Sequence, residues 1–339
     1  MTEKRILVVS PSWVGDIVMS QTLFSLLKQT NPSTRLDVMA PSASKPLLSR
    51  MANVDNALLF DVGHGEMNLG YRRAFARGLS HAHYDQAIIL PNSFKSALVP
   101  FFAKIPLRTG YRGEMRYKLL NDMRILDKAT LPRMIDRFMA LGMASGKTLP
   151  KYSQPSLLVD PKNQDDCIKR FDLNKSKPIL GICPGAEFGD AKRWSEHKFA
   201  LVAKAVIEYG MQVWLFGSAR DKVITDKICK MLPSGYEKDC ANLAGRTTLL
   251  DALDLINLCG HVVTNDSGLM HVASAVGCKI IVLYGSTSPE FTPPLTSDAV
   301  VVKKSIICSP CFKRECPFEH KNCLNLIEPN DVLVQLGLQ

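Results

Sequence analysis

Nowhere in the 339 residues does an apolar stretch approach the roughly 20 residues needed to cross a bilayer as a helix. Runs such as AIIL and KIIVLYG have the length of strands, so no helical membrane span is expected. The opening MTEKRILVVSPS leads straight into a strand without the apolar core and small-residue cleavage site of a secretory leader. The expected location is therefore the cytoplasm. Two phosphate-binding fingerprints are missing: GxxxxGK[ST], which excludes a P-loop, and GxGxxG, which excludes the common dinucleotide signature. No internal repeat or low-complexity segment is present. Few aromatics stand among the basic residues and no recognition motif accompanies them, which argues against a nucleic-acid partner.

A chain of this length exceeds what one hydrophobic core usually serves, so two domains are expected. Of the ten cysteines, Cys167, Cys183, Cys229, Cys240, Cys259 and Cys278 are scattered. In a reducing compartment they read as small buried hydrophobes rather than a disulfide framework. Charge is distributed unevenly. Residues 1 to 155 hold 21 lysines and arginines against 11 acids, whereas residues 156 to 339 hold 21 of each. A one-sided basic surface suits an anionic membrane face or an acidic substrate, and a merely solvated basic domain is the plainer alternative.

Short apolar runs alternate with helical stretches in both halves: RILVVSPS before GDIVMSQTLFSLLKQT, YDQAIILPN before SFKSALVPFFAK, then KPILGIC, MQVWLFG, HVVTND and KIIVLYG, each ahead of a helical pattern or turn. Alternation of this kind implies parallel sheets covered on both faces. The rhythm breaks at residues 141–163, LGMASGKTLPKYSQPSLLVDPKN, and the expected domains are 1–155 and 156–339, with a C-terminal helix free to pack back on the first. Two doubly wound halves would place a ligand cleft at the carboxyl ends of both sheets.

Three segments carry the chemistry. In CPGAEFGDAKRWSEHKFA a strand feeds a glycine-containing loop and then a helix capped at Ser195, with Lys192 and Arg193 just before it. Free amides, a helix dipole and two cations make an anion site, although a turn with solvated cations would leave the same trace. In VVTNDSGLMHVASAVG, residues 265–267 form a polar turn that can cap a helix opening at Gly268, and His271 lies one turn beyond Ser267. A helix cap beside a buried histidine is the plainer reading. In SPSWVGDIVMSQTL, Gly15 and Asp16 open the first helix, so Asp16 is either an early-turn acid complementing the dipole or a general base.

Taken together and in order, WVGDIVMSQTL, LPNSFKSALVP, RTGYRGEMRY, CPGAEFGDAKRW, FGSARD, NLAGRTTL, NDSGLMHVASA and CSPCFKRECPF resemble the bacterial lipopolysaccharide heptosyltransferases of glycosyltransferase family 9, more narrowly their type II branch. The resemblance implies a GT-B fold of two Rossmann-like domains facing a central cleft. It further implies an inverting, metal-independent transfer of heptose from ADP-heptose to heptosyl-Kdo2-lipid A, with no cofactor. No DxD-like pair stands at a strand end, in agreement. The catalytic base would be Asp16 and the phosphate-contacting lysine Lys192. Gly185 and Ala186 would line the diphosphate, Asp221 would hold the ribose, Asp266 the heptose hydroxyls, and Ser267 and Gly268 the phosphates, with His271 in the same motif. Gly15 and the cations Lys95, Arg72, Arg112 and Arg116 are expected on the acceptor side, and the enzyme would rest peripherally on the anionic cytoplasmic face of the inner membrane.

The cluster Cys308, Cys311, Cys316 and Cys323, spaced CxxCx4Cx6C with His320 inside, has one zinc-like clip and one irregular one. A reduced packed loop is expected there, and the resemblance requires no metal. Competing readings are a type I heptosyltransferase, another GT-B transferase with a UDP-sugar or a different ADP-sugar, and a non-catalytic sugar-nucleotide or lipid-binding module.

Overall fold

The computed structural model describes residues 3–63 and 65–338, so the expected domain ends, Met1 and Gln339, lie outside it. The chain divides into two compact units that meet in sequence at Pro155 and Ser156. The first holds strands β1 (Arg5–Val9), β2 (Arg35–Ala40), β3 (Asn56–Leu59), β4 (Gln86–Ile89), β5 (Leu107–Tyr111) and β6 (Asp122–Arg124). They form one parallel sheet in the order β3-β2-β1-β4-β5-β6. The second holds β7 (Ile179–Cys183), β8 (Gln212–Leu215), β9 (Cys240–Asn242), β10 (His261–Asn265), β11 (Lys279–Tyr284) and β12 (Ala299–Lys303), ordered β12-β11-β10-β7-β8-β9 and also parallel. Counted from the first strand of each unit, both follow the doubly wound order 3-2-1-4-5-6. The two units thus share a doubly wound plan without a visible sequence repeat.

Central strands are buried on both faces: all five residues of β7 and the last four of β1 and β10. Two covered faces require the unbroken apolar runs seen in KPILGIC and RILVV. In the second unit Leu180, Ile182, Val263, Ile281 and Leu283 pack against Phe199, Val202, Ala203 and Val206 of the helix Glu196–Glu208. The C-terminal helix Pro329–Leu333 closes this same core through Val332, with Leu338 beyond it. Residues 142–160 contain no helix or strand.

Strand register places the loops that bear the site. Strand β10 pairs with β7 so that Thr264 lies beside Cys183. The loops after these two strands therefore leave the sheet side by side, at the point where the strand order reverses and open α/β sheets bind ligands. In the first unit β1 and β4 pair with Val9 beside Ile89, which sets the loops after Val9 and Ile89 together at the equivalent edge. Among the described residues no helix is long and apolar enough to cross a membrane.

Candidate functional site

The loop between Cys183 and Glu196 is held at both ends by one side chain. Asn265, fully buried, donates from Nδ2 to the Pro184 carbonyl at 2.7 Å and accepts the Trp194 amide at 3.1 Å on Oδ1. Trp194 is itself anchored, its indole N–H reaching the Ile327 carbonyl at 3.1 Å and its ring standing edge-on to Phe199. The sequence assigns Asn265 to a capping turn; in the structure it clips the anion loop to β10.

At two glycines of the loop the backbone comes so close to its neighbours that a side chain has no room. A Cβ on Gly185 would overlap the Asp221 carboxylate, and one on Gly189 would overlap the Arg314 backbone. Asp221 stands ahead of the helix Lys222–Lys230, and its Oδ2 accepts the amide of Ser218 at 2.9 Å and its hydroxyl at 2.7 Å. Gly185 and Asp221, far apart in sequence, thereby share one corner of the site. Asp190 takes Lys321 at 2.7 Å and Arg193 at 2.8 Å. Burial alone would raise its carboxyl, but these two cations outweigh it and hold the pKa below the usual value.

Lys192 ends this turn and meets Asp266 at 2.6 Å, both side chains largely buried, with the Phe188 ring beneath the ammonium at 4.9 Å. Thr287 donates to the same Asp266 oxygen at 2.6 Å. Two residues that belong to separate sequence motifs, 74 positions apart, are therefore partners. Thr287, in a loop after β11 with no motif to mark it, is a third member that sequence reasoning misses. The helix Gly268–Ala275 begins next to them. Its N-cap Ser267 is extended and makes no side-chain cap bond, contrary to the capping read from NDSG, so the first-turn amides keep their capacity for an anion. Ser195 likewise stands at the N-cap of Glu196–Glu208 without a side-chain cap.

His271 is 4 % exposed and its Nδ1 has no hydrogen-bond partner. Burial pushes its pKa down to about 4, with Lys192 adding to the shift and Asp266 opposing it, so the imidazole is neutral at pH 7. In the unfolded chain the same group titrates near 6.5. The unfolded state then binds the extra proton between those values. The stabilisation is complete above about pH 6.5 and is lost as pH falls toward 4, at no more than ~1.4 kcal/mol per unit. Urea denaturation at pH 7 and pH 5 should show this loss in the wild type and a shallower one in His271→Gln; identical slopes would contradict it.

In the first unit, Asp16 is the third residue of the helix Val14–Thr30 that follows β1; it is partly exposed and sits in the positively polarised first turn, with Gly15 buried beside it. Lys95, also partly exposed, lies in the turn Phe94–Ala97 after β4. Arg112 is exposed.

Two expected acceptor cations turn inward instead. Arg116 is 1 % exposed and donates to the carbonyls of Pro91 at 2.7 Å and Tyr111 at 3.1 Å and 2.5 Å, and to Asn92 Oδ1 at 3.1 Å. Arg72, also buried, reaches the carbonyls of Met67 at 2.6 Å, Lys95 at 3.1 Å and Glu66 at 3.3 Å, above the Phe60 ring. Burial lowers both guanidinium pKa values, that of Arg116 to about 10. Their donors are spent mainly on backbone carbonyls of the surrounding chain, so both are scaffold and the expected acceptor contact is withdrawn. Arg116→Met should cost about 3 kcal/mol or more in urea denaturation by orphaning these buried acceptors; a loss below about 1 kcal/mol would contradict the assignment.

Residues 72–322 match glycosyltransferase family 9 (heptosyltransferase). The chain is 49% identical over 305 residues to a lipopolysaccharide heptosyltransferase 2 of Salmonella typhimurium, covering 88% of each protein. It is 48% identical over 339 residues to that of Escherichia coli K12, covering 98% of this chain and 97% of the relative. The solved structure of E. coli ADP-heptose LPS heptosyltransferase II superposes with a TM-score of 0.89 at 45% identity, over 98% of this chain and 97% of that one.

Proposed function

The chain belongs to glycosyltransferase family 9, the heptosyltransferases, and from that premise we propose that it transfers L-glycero-D-manno-heptose from ADP-heptose to the first heptose of heptosyl-Kdo2-lipid A. It is a heptosyltransferase of lipopolysaccharide core synthesis and has the two-sheet α/β fold of its relatives. The observation that carries the donor assignment is the Lys192–Asp266–Thr287 cluster at the mouth of the helix Gly268–Ala275, beside a loop whose glycine admits no side chain.

The acceptor hydroxyl attacks C1 of heptose on the face opposite ADP, the bond from C1 to the phosphate oxygen breaks, and the anomeric centre inverts. Asp16 takes the hydroxyl proton as the new bond forms. Negative charge grows on the β-phosphate, where fixed amides and a cation help most. Lys192 and the amides of Gly185, Ala186, Ser267 and Gly268 supply them in the role a metal ion fills elsewhere. Before donor binds, Lys192 and Asp266 neutralise each other. An incoming diphosphate competes for the ammonium, and the Asp266 carboxylate then accepts heptose hydroxyls. Asp221 holds the ribose.

The cationic excess of residues 1–155, with Arg112 and Lys118 exposed around Met115 and Tyr117, supports reversible attachment to the anionic cytoplasmic face of the inner membrane. Incubation with ADP-heptose and either Kdo2-lipid A or its heptosylated form, read by mass spectrometry without added divalent cation, tests the reading. One heptose should appear on the heptosylated acceptor alone. Addition to the bare acceptor would move the enzyme to the type I branch, and a requirement for magnesium would contradict the metal-free step.

A further inference from the structure

The four clustered cysteines play no part in this chemistry, yet the fold gathers them. Between β12 and the short helix Asn322–Asn325 the chain runs through residues 304–321 without helix or strand. Its apolar side chains hold it only in part: Ile306 packs on the core of the second unit and Phe312 stands edge-on to Phe291, whereas Ile307 is fully exposed and Phe318 is 62% exposed. An irregular segment of that length inside a compact unit needs another source of order. Cys308, Cys311, Cys316 and Cys323 all line one cavity of about 10 Å³ within it, and all four are free thiols.

We propose that Cys308, Cys311, Cys316 and Cys323 bind one structural zinc ion as a tetrathiolate that braces the donor loop. Soft thiolates select zinc over magnesium or calcium, and four of them close a tetrahedral site with no open position for chemistry. Among the described residues no three His, Cys, Asp or Glu side chains stand as a group that could hold a metal ion; the four cysteines line a void about the size of one water sphere without yet closing on a common centre. Binding zinc at ~2.3 Å from each sulfur asks the four thiols to draw together around it. His320 lines the same cavity, but its Nδ1 accepts the Asn322 amide at 2.9 Å and its ring stacks on Phe318, which leaves the ligand set to sulfur.

The bracing is direct. The Arg314 carbonyl, between the second and third cysteines, accepts the Ala191 amide at 3.0 Å, and Lys321, between the third and fourth, holds Asp190 at 2.7 Å. Both contacts land on the turn that ends in Lys192. The metal site stands independently of the sugar chemistry; only the naming of the braced loop as the donor loop rests on the function proposed above.

The test is the metal content of full-length protein purified under reducing conditions. About one zinc per chain is expected, released when a mercurial titrates the thiols, and lost in Cys308→Ser/Cys311→Ser but retained in Cys229→Ser. Cobalt substitution of the wild type should give the thiolate charge-transfer bands and intense visible bands of a tetrahedral four-sulfur site, which needs no variant to fold. Wild-type protein with neither stoichiometric zinc nor those bands, zinc retained by the double variant, or iron in stoichiometric amount instead would each overturn the proposal.

Discussion

Asp16→Asn should lower the turnover of heptosyl transfer by about 10²- to 10⁴-fold, the span usually lost with a general base, while the dissociation constant for ADP-heptose stays within about twofold of wild type. The split arises from where the residue stands. Asp16 belongs to the first unit, at the edge of its own sheet, whereas the diphosphate contacts belong to the second. The isosteric amide keeps the size of the side chain and an early-turn hydrogen-bonding group, so the helix start is preserved and only the proton acceptor is lost. Single-turnover transfer with calorimetry on the same preparation separates the two effects. Turnover near wild type would remove Asp16 from the role of base; a parallel loss of donor affinity would make it a binding residue.

Lys192→Ala should weaken ADP-heptose binding by about 10- to 100-fold, the loss of one charge-assisted hydrogen bond, and lower turnover by a further ~10²-fold because the developing phosphate charge loses its cation. Here binding and chemistry fall together, the opposite pattern to Asp16. The substitution also strips Asp266 of its cationic partner while Thr287 still bonds the same oxygen. A lone carboxylate facing the diphosphate repels it, so Lys192→Ala/Asp266→Asn should bind ADP better than Lys192→Ala alone. Unchanged kinetics in the single variant, measured over a range of donor concentrations, would reject the phosphate assignment.

The parallel α/β architecture is legible wherever a strand is buried on both faces, because KPILGIC, RILVV and KIIVLYG leave unbroken apolar runs. Edge strands are less legible: β6 is three residues long, DMR, and β12, although it reads AVVVK, has no fully buried position. Asp16, beside Gly15, and Asp266, just after β10, stand out in the sequence because the chemistry of a loop at a carboxyl edge is local, whereas Asp221 is marked only by the family resemblance. What sequence does not supply is pairing at a distance. Lys192 with Asp266, Gly185 with Asp221, and Asn265 with both ends of one loop all depend on the register that sets Thr264 beside Cys183. Arg72 and Arg116 mislead for a related reason. A basic motif reads as a charged surface, and only the burial of loop carbonyls around a guanidinium reveals it as scaffold.

A crystal structure of the protein with ADP bound, grown without added divalent cation, tests the central claim most directly. The account predicts the β-phosphate within hydrogen-bonding distance of Lys192 Nζ and of the Ser267 and Gly268 amides, the Lys192–Asp266 contact opened, and the ribose on Asp221. A diphosphate bound elsewhere, or one carried by a magnesium ion with Lys192 still on Asp266, would contradict it.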